Sequence, residues 1–185
     1  MKIIGIDLAG SPKNPTGVCV LEVGENDEKI TSVRILHNNG EILEFVLSFE
    51  KVDIVCVDAP LTFYEGGRLC DQQLHRYGAL PITLKGMKTL ALRGVDLAGK
   101  FNENSINFIE IFSTASAKIL GLYDKDLMRR QKLLINSKIA GDTENKILTK
   151  DEIDAILAAI TGYLHLIDMT ETVGDDRGYI VIPRV

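Results

Sequence analysis

The chain has 185 residues, 45% of them apolar and 25% charged. Those are the proportions of an ordinary globular protein, and the length suits one domain, 1–185, with a real hydrophobic core. The net charge of −5 excludes a protein that coats nucleic acid through bulk charge, though not an enzyme that grips it through a local basic patch.

The first third reads as a strand meander. Residues 2–8 are rich in β-branched residues. Asn14-Pro15-Thr16-Gly17 is turn chemistry, and residues 18–23 form a second strand. Gly24 to Glu28 is a polar turn, and Ile30 to Leu36 alternates as a third strand. Asn38-Asn39-Gly40 breaks the chain. Glu41 to Phe49 has helical spacing through Ile42, Phe45, Val46 and Phe49. Residues 52–57 are a near-continuous apolar run, as in a buried central strand.

Further on, Gly66-Gly67 and Gly78 to Pro81 break the chain on either side of a short helix, Arg68 to Tyr77. A second helix is expected from Met87 to Lys100, and a strand from Ile106 to Phe112. Ser113 or Thr114 is placed to cap a helix running through Leu120. Residues 126–138 read as a helix with a basic side, and Gly141 to Thr149 as a polar linker. Thr149, followed by Asp151 and Glu152, predicts the N-cap of a helix reaching about Asp168. Residues 177–183 read as a closing strand. A meander feeding an α/β unit is the ribonuclease H-like pattern: a mixed sheet, antiparallel then parallel, with helices on both faces.

Cys19 and Cys56 lie inside apolar runs, and with Cys70 they show no metal-ligand spacing. No disulfide framework is suggested, which fits a reducing cytoplasm. No apolar run approaches the ~20 residues of a membrane span, and Asp7 arrives before a signal-peptide core could form. A soluble cytoplasmic protein without a membrane partner is expected.

Three acids carry the chemistry. Asp7 ends the first apolar run and Asp58 ends the run from Val52. Asp154, with Asp151 one turn before it, opens the long amphipathic segment. Strand ends and a helix's first turn can converge, and converging carboxylates repel unless a cation or shared protons neutralise them. The arrangement asks for Mg²⁺ or Mn²⁺, and two such ions suit phosphodiester hydrolysis. The alternative is that these acids only end strands and favour a helix N-terminus. Glu110, among aromatic and aliphatic neighbours, is either outward-facing or a buried metal ligand.

Arg68 could meet a phosphate or pair with Asp71. Lys85, Lys88 and Arg93 could form the basic patch that the acidic whole lacks. Ser11, in the turn after Asp7, could let a substrate backbone approach. Gly94 to Lys100 has the spacing of a phosphate loop, but Phe101 stands where Ser or Thr is required and the segment reads as helical. His37, His75 and His165 show no ligand spacing.

Gly5-Ile6-Asp7-Leu8-Ala9, Val57-Asp58-Ala59-Pro60, Arg68 with Asp71, Ile109-Glu110-Ile111-Phe112, Asp151 with Asp154-Ala155, and Gly178 to Pro183 form an ordered set spanning nearly the whole chain. This set resembles the family called domain of unknown function 429, described as predicted nucleases of ribonuclease H-like fold. Its acid placement is similar to that of RuvC-type Holliday-junction resolvases. The resemblance implies magnesium held by Asp7, Asp58, Asp151 and Asp154. One departure is Ser113-Thr114, where that family's segment usually carries a Pro.

A metal-dependent nuclease acting on structured DNA or RNA is therefore the leading expectation, and a homodimer would suit a symmetric junction. Half of an actin-like-superfamily phosphotransferase or ATPase shares the Gly-Ile-Asp first strand, and a non-catalytic binding scaffold would share the fold.

Overall fold

A computed structural model describes residues 1–184. Strand β1 (Lys2–Asp7) pairs antiparallel with β2 (Thr16–Val23), which pairs antiparallel with β3 (Lys29–Leu36). Helix α1 (Asn39–Leu47), capped by the Asn38 side chain, carries the chain back to β4 (Ile54–Asp58), parallel to β1. Next come α2 (Leu69–Gln73), a single 3₁₀ turn at His75–Tyr77, and α3 (Lys85–Glu103). Strand β5 (Phe108–Glu110) then adds parallel to β4. After α4 (Ser113–Ile119) and α5 (Leu127–Asn136), β6 (Ile139–Gly141) adds parallel to β3 at the far edge. The sheet order is β5-β4-β1-β2-β3-β6. A turn of helix, α6 (Asp142–Asn145), leads to α7 (Lys150–Leu166), and β7 (Thr170–Asp175) with β8 (Gly178–Pro183) forms a separate hairpin.

Period-two alternation sorts the central strands onto two cores. Ile4, Ile6, Val18, Val20, Val55 and Val57 pack with Ile42 and Val46 of α1 and Leu97 and Phe101 of α3. Ile3, Cys19, Leu21, Ile54 and Cys56 pack on the other face against Ala155, Ile156 and Ala159 of α7. Both faces are covered, which is why β1 and β4 carry unbroken apolar runs rather than alternating ones.

Helix α7 lies unusually close to the sheet because glycines leave room for it. A Cβ on Gly5 would stand 2.1 Å from the Ala155 carbonyl oxygen, and one on Gly17 would stand 2.0 Å from that of Asp151. The predicted cap is present: Thr149 and Glu152 form a reciprocal capping box that fixes where the helix begins.

A smaller core closes one end. Cys70, Leu74, Ala79 and Ala115 pack under Ile180 and Ile182 of the hairpin. A parallel bridge from Ile111 to Val181 ties the hairpin to the chain leaving β5.

Some local expectations are corrected. The supposed linker from Gly141 to Thr149 contributes to β6 and α6. Val33 N–H donates to the Asp142 carboxylate, and the Thr31 hydroxyl donates to the Ala140 carbonyl. Three residues are too few to show a period, so tertiary pairing alone defines that strand. The hairpin strand β7 was also not anticipated. Ser113 does not cap α4 from outside; it is the first residue of the helix, and Phe112 holds the cap position. Gly94 to Lys100 lies wholly within α3, so no phosphate loop forms there.

Candidate active site

Asp7 and Asp58 are register partners at the ends of two adjacent parallel strands, roughly 4.8 Å apart along the sheet. By alternation they follow Ile3 and Gly5, and Ile54 and Cys56, on the face that α7 covers. Because Gly5 and Gly17 let α7 sit so low, its first turn brings Asp151 and Asp154 over these strand ends. Asp7, Asp58 and Asp154 line one cavity of about 230 Å³. Asp7 and Asp151 share a second recess with Gly10 and Asn14.

The carboxylates feel one another. Burial, then the charges of Asp58 and Asp154, hold the Asp7 carboxyl well above the usual carboxylate range. Burial and then the charge of Asp154 push Asp58 up to about 7, with the polar groups of Ser113 and the charge of Lys150 acting in the opposite direction. A carboxyl whose pKa rises on folding stabilises the native state only while it stays protonated. Its contribution is fully present below about pH 4, declines as pH rises through about 7, and is gone above that. Asp58→Asn should therefore show a shallower loss of stability between about pH 5 and about pH 8, read from urea midpoints at the two ends. An unchanged slope would mean that Asp58 ionises normally.

Two cations answer Asp154, which is buried. Lys150 Nζ lies 2.7 Å from Oδ2, and Arg130, on α5, places a nitrogen 3.2 Å from Oδ1. Burial works against the Lys150 ammonium, but its bond to Asp154 and the charges of Asp7 and Asp151 outweigh it and raise its pKa. The Ser113 hydroxyl donates to the Asp154 carbonyl at 2.8 Å, joining α4 to α7 under the site. None of these three was identified as part of the site from sequence. Arg130 carried a faint signal, being four residues before Leu134 on the buried side of α5.

The basic residues separate by role. Arg68, which the sequence offers either to a phosphate or to Asp71, is only 1% exposed. It makes a fork to both Asp71 oxygens, at 3.1 and 2.6 Å, and reaches both Glu110 oxygens, at 2.9 and 2.8 Å. Glu110 also accepts from Leu61 N–H at 2.7 Å. Glu110 lines the cavity, yet its oxygens are committed to this network and not turned toward Asp7. Burial nonetheless raises its carboxyl to about 7.

Arg93 is likewise occupied with backbone. It donates to the carbonyls of Ala9 and His37 and to the Asn39 side chain, pinning the loop that follows Asp7. Lys85 is exposed at the start of α3, whose Met87 and Leu90 line the cavity. Ser11 is partly exposed in the turn beyond Asp7, where its hydroxyl accepts from Lys13 N–H.

No family model matches this chain, so the likeness to domain of unknown function 429 gains no support from one. No curated protein matches it in sequence. Solved structures do match in shape. RuvC of Thermus thermophilus in complex with a Holliday junction substrate superposes with a TM-score of 0.55 at 13% identity, over 90% of this chain and 96% of that one. A second Thermus thermophilus RuvC structure gives 0.56 at 13% identity, over 91% and 97%. The fold is ribonuclease H-like. The expected mixed sheet, antiparallel and then parallel with helices on both faces, is what the chain forms.

Within this ribonuclease H-like frame, oxygen donors from β1, β4 and α7 suit a hard divalent cation. Asp7 and Asp58 have no salt-bridge partner among the described residues, and their raised pKa values reflect burial first and then the repulsion among the acids, which such a cation would relieve. Among the described residues, however, no three His, Cys, Asp or Glu side chains stand together as a metal-binding group. Asp154 is instead held on two cations that the chain itself supplies, Lys150 and Arg130. No helix among the described residues is long and apolar enough to cross a membrane.

Proposed function

We propose that this protein is a nuclease, hydrolysing phosphodiester bonds in structured DNA or RNA with the help of Mg²⁺ or Mn²⁺. The observation that carries the reading is the side-by-side placement of Asp7 and Asp58, two carboxylates without a salt-bridge partner among the described residues, beneath the first turn of α7. The ion, when bound, supplies an activated water and neutralises developing phosphate charge. Asp7 and Asp58 are the residues that hold it, with Asp151 and Asp154 completing the acidic wall. Arg93 keeps the Asp7 loop in place by holding Ala9. Lys85 and Lys150 are the cations on hand for substrate phosphates. Ser11, in the turn beyond Asp7, is positioned to meet the nucleic-acid backbone.

The likeness to a RuvC structure bound to a Holliday junction makes branched DNA the first substrate to offer. A homodimer would present two such sites to a symmetric junction.

The test is cleavage of labelled single-stranded, duplex and branched DNA and RNA with Mg²⁺, Mn²⁺ or EDTA. Cleavage should require the metal and fall by roughly 10³-fold or more in Asp7→Asn, as when a catalytic group is removed. No cleavage of any substrate, together with no metal-dependent rise in melting temperature, would overturn the reading.

A further inference from the structure

The site contains a cation of its own. Lys150 is the first residue of α7, one turn before Asp154, and its side chain is 62% exposed. From there it reaches in to Asp154 Oδ2 at 2.7 Å. It borders both the cavity shared by Asp7, Asp58 and Asp154 and the recess shared by Asp7 and Asp151. The ammonium therefore stands among the same acids that would surround a second divalent ion.

Charge balance points the same way. Asp7, Asp58, Asp151 and Asp154 bring four negative charges when ionised, and Lys150 and Arg130 bring two positive ones. One divalent ion neutralises the remainder. A second would have to displace an ammonium from a buried carboxylate whose other oxygen faces a guanidinium.

We infer that Lys150 takes the place of one of the two divalent ions of a two-metal site, so that this protein binds a single ion between Asp7 and Asp58. The inference rests on the metal-dependent reading above and specifies how many ions serve it. An ammonium is a compact point charge with three donors. It offers a phosphate oxygen a positive partner but, unlike a metal, does not acidify water. An ion held by Asp7 and Asp58 would supply the activated water, and Lys150 would be left to face the charge of the substrate.

The test counts ions. Mn²⁺ is titrated into the unmutated protein, Lys150→Met, Lys150→Arg and Asp7→Asn, with free Mn²⁺ read by electron paramagnetic resonance and melting temperature followed in parallel. The exposed lysine stem makes loss of folding a minor concern, and the melting curve of Lys150→Met checks it directly. One ion per chain is expected for the unmutated protein and for Lys150→Arg, two for Lys150→Met, and none for Asp7→Asn. Two ions in the unmutated protein would overturn the inference and leave the metal-dependent reading standing. One ion in a folded Lys150→Met would overturn it equally. No binding by any variant would remove the metal-dependent reading itself, and the inference with it.

Discussion

Arg68→Met should lower stability by about 3–5 kcal/mol, the cost of stranding buried charges by removing their partner. Arg68 is buried, and its guanidinium is shared between Asp71 and Glu110, with a further contact to the Thr62 hydroxyl. Methionine fills much of the volume, so packing is largely kept while both carboxylates lose their counter-charge. At roughly 2–4 °C per kcal/mol for a chain of this size, the melting temperature should fall by about 6–20 °C. The deficit should depend on pH in a definite direction. Glu110 is already raised to about 7, and loss of Arg68 raises it further. The variant should therefore recover part of its stability at about pH 5, where Glu110 is protonated, and be weakest at about pH 8. Melting curves at the two values decide the matter. A shift below about 1 kcal/mol would mean that the network is solvated rather than buried.

Gly5→Ala should be the other severe change, although it adds one methyl group. That methyl would lie 2.1 Å from the Ala155 oxygen and 2.5 Å from the Ala159 nitrogen, both backbone atoms of α7. No side chain can turn aside, so the whole helix must lift. Overpacking typically costs about 1–3 kcal/mol, and a clash with backbone belongs at or above the top of that range. The same displacement separates Asp154 from Asp7, so divalent-ion affinity should fall along with stability. Gly99→Ala is the matched control. It lies inside α3 with nothing within 4 Å of the added carbon, and it should stabilise by about 0.5–1 kcal/mol through helix propensity alone. Urea unfolding of both variants, with Mn²⁺ binding measured on each, tests the pair. Equal and small effects would show that α7 does not rest on Gly5.

What the sequence made legible follows from where physics acts locally. The runs ending in Asp7 and Asp58 are long, apolar and doubly buried, so their strands and end acids could be read directly. Thr149 with Glu152 is a local device, and it placed the start of α7 correctly. The spacing of Arg68 and Asp71 offers their ion pair as one of two readings, but only three dimensions show that Glu110 joins it. Arg93 reads from sequence as one member of a basic patch. Its partners, Ala9, His37 and Asn39, are far from it in sequence, and no periodicity announces such a clamp. Lys150 carries no signal in the sequence, because an exposed lysine at a helix start is common and its position among four acids depends on how low α7 sits. Strands β6 and β7 escaped because short pairings are defined by their partners.

The contact of Gly5 with Ala155 also bears on how the molecule is made. Strand β1 is synthesised early and β4 soon after, yet the face carrying Ile3 and Cys56 is covered by a helix that follows only after most of the chain. Such long-range closure is slow relative to local helix formation, because the entropy of the intervening loop is lost before the contact forms. Without α7, one side of the sheet would stand bare, and Asp7 and Asp58 would face water instead of Asp154 and Lys150. Docking of α7 buries the sheet and assembles the acidic centre in one event. A chain in which α7 has not docked therefore has an open sheet and separated carboxylates.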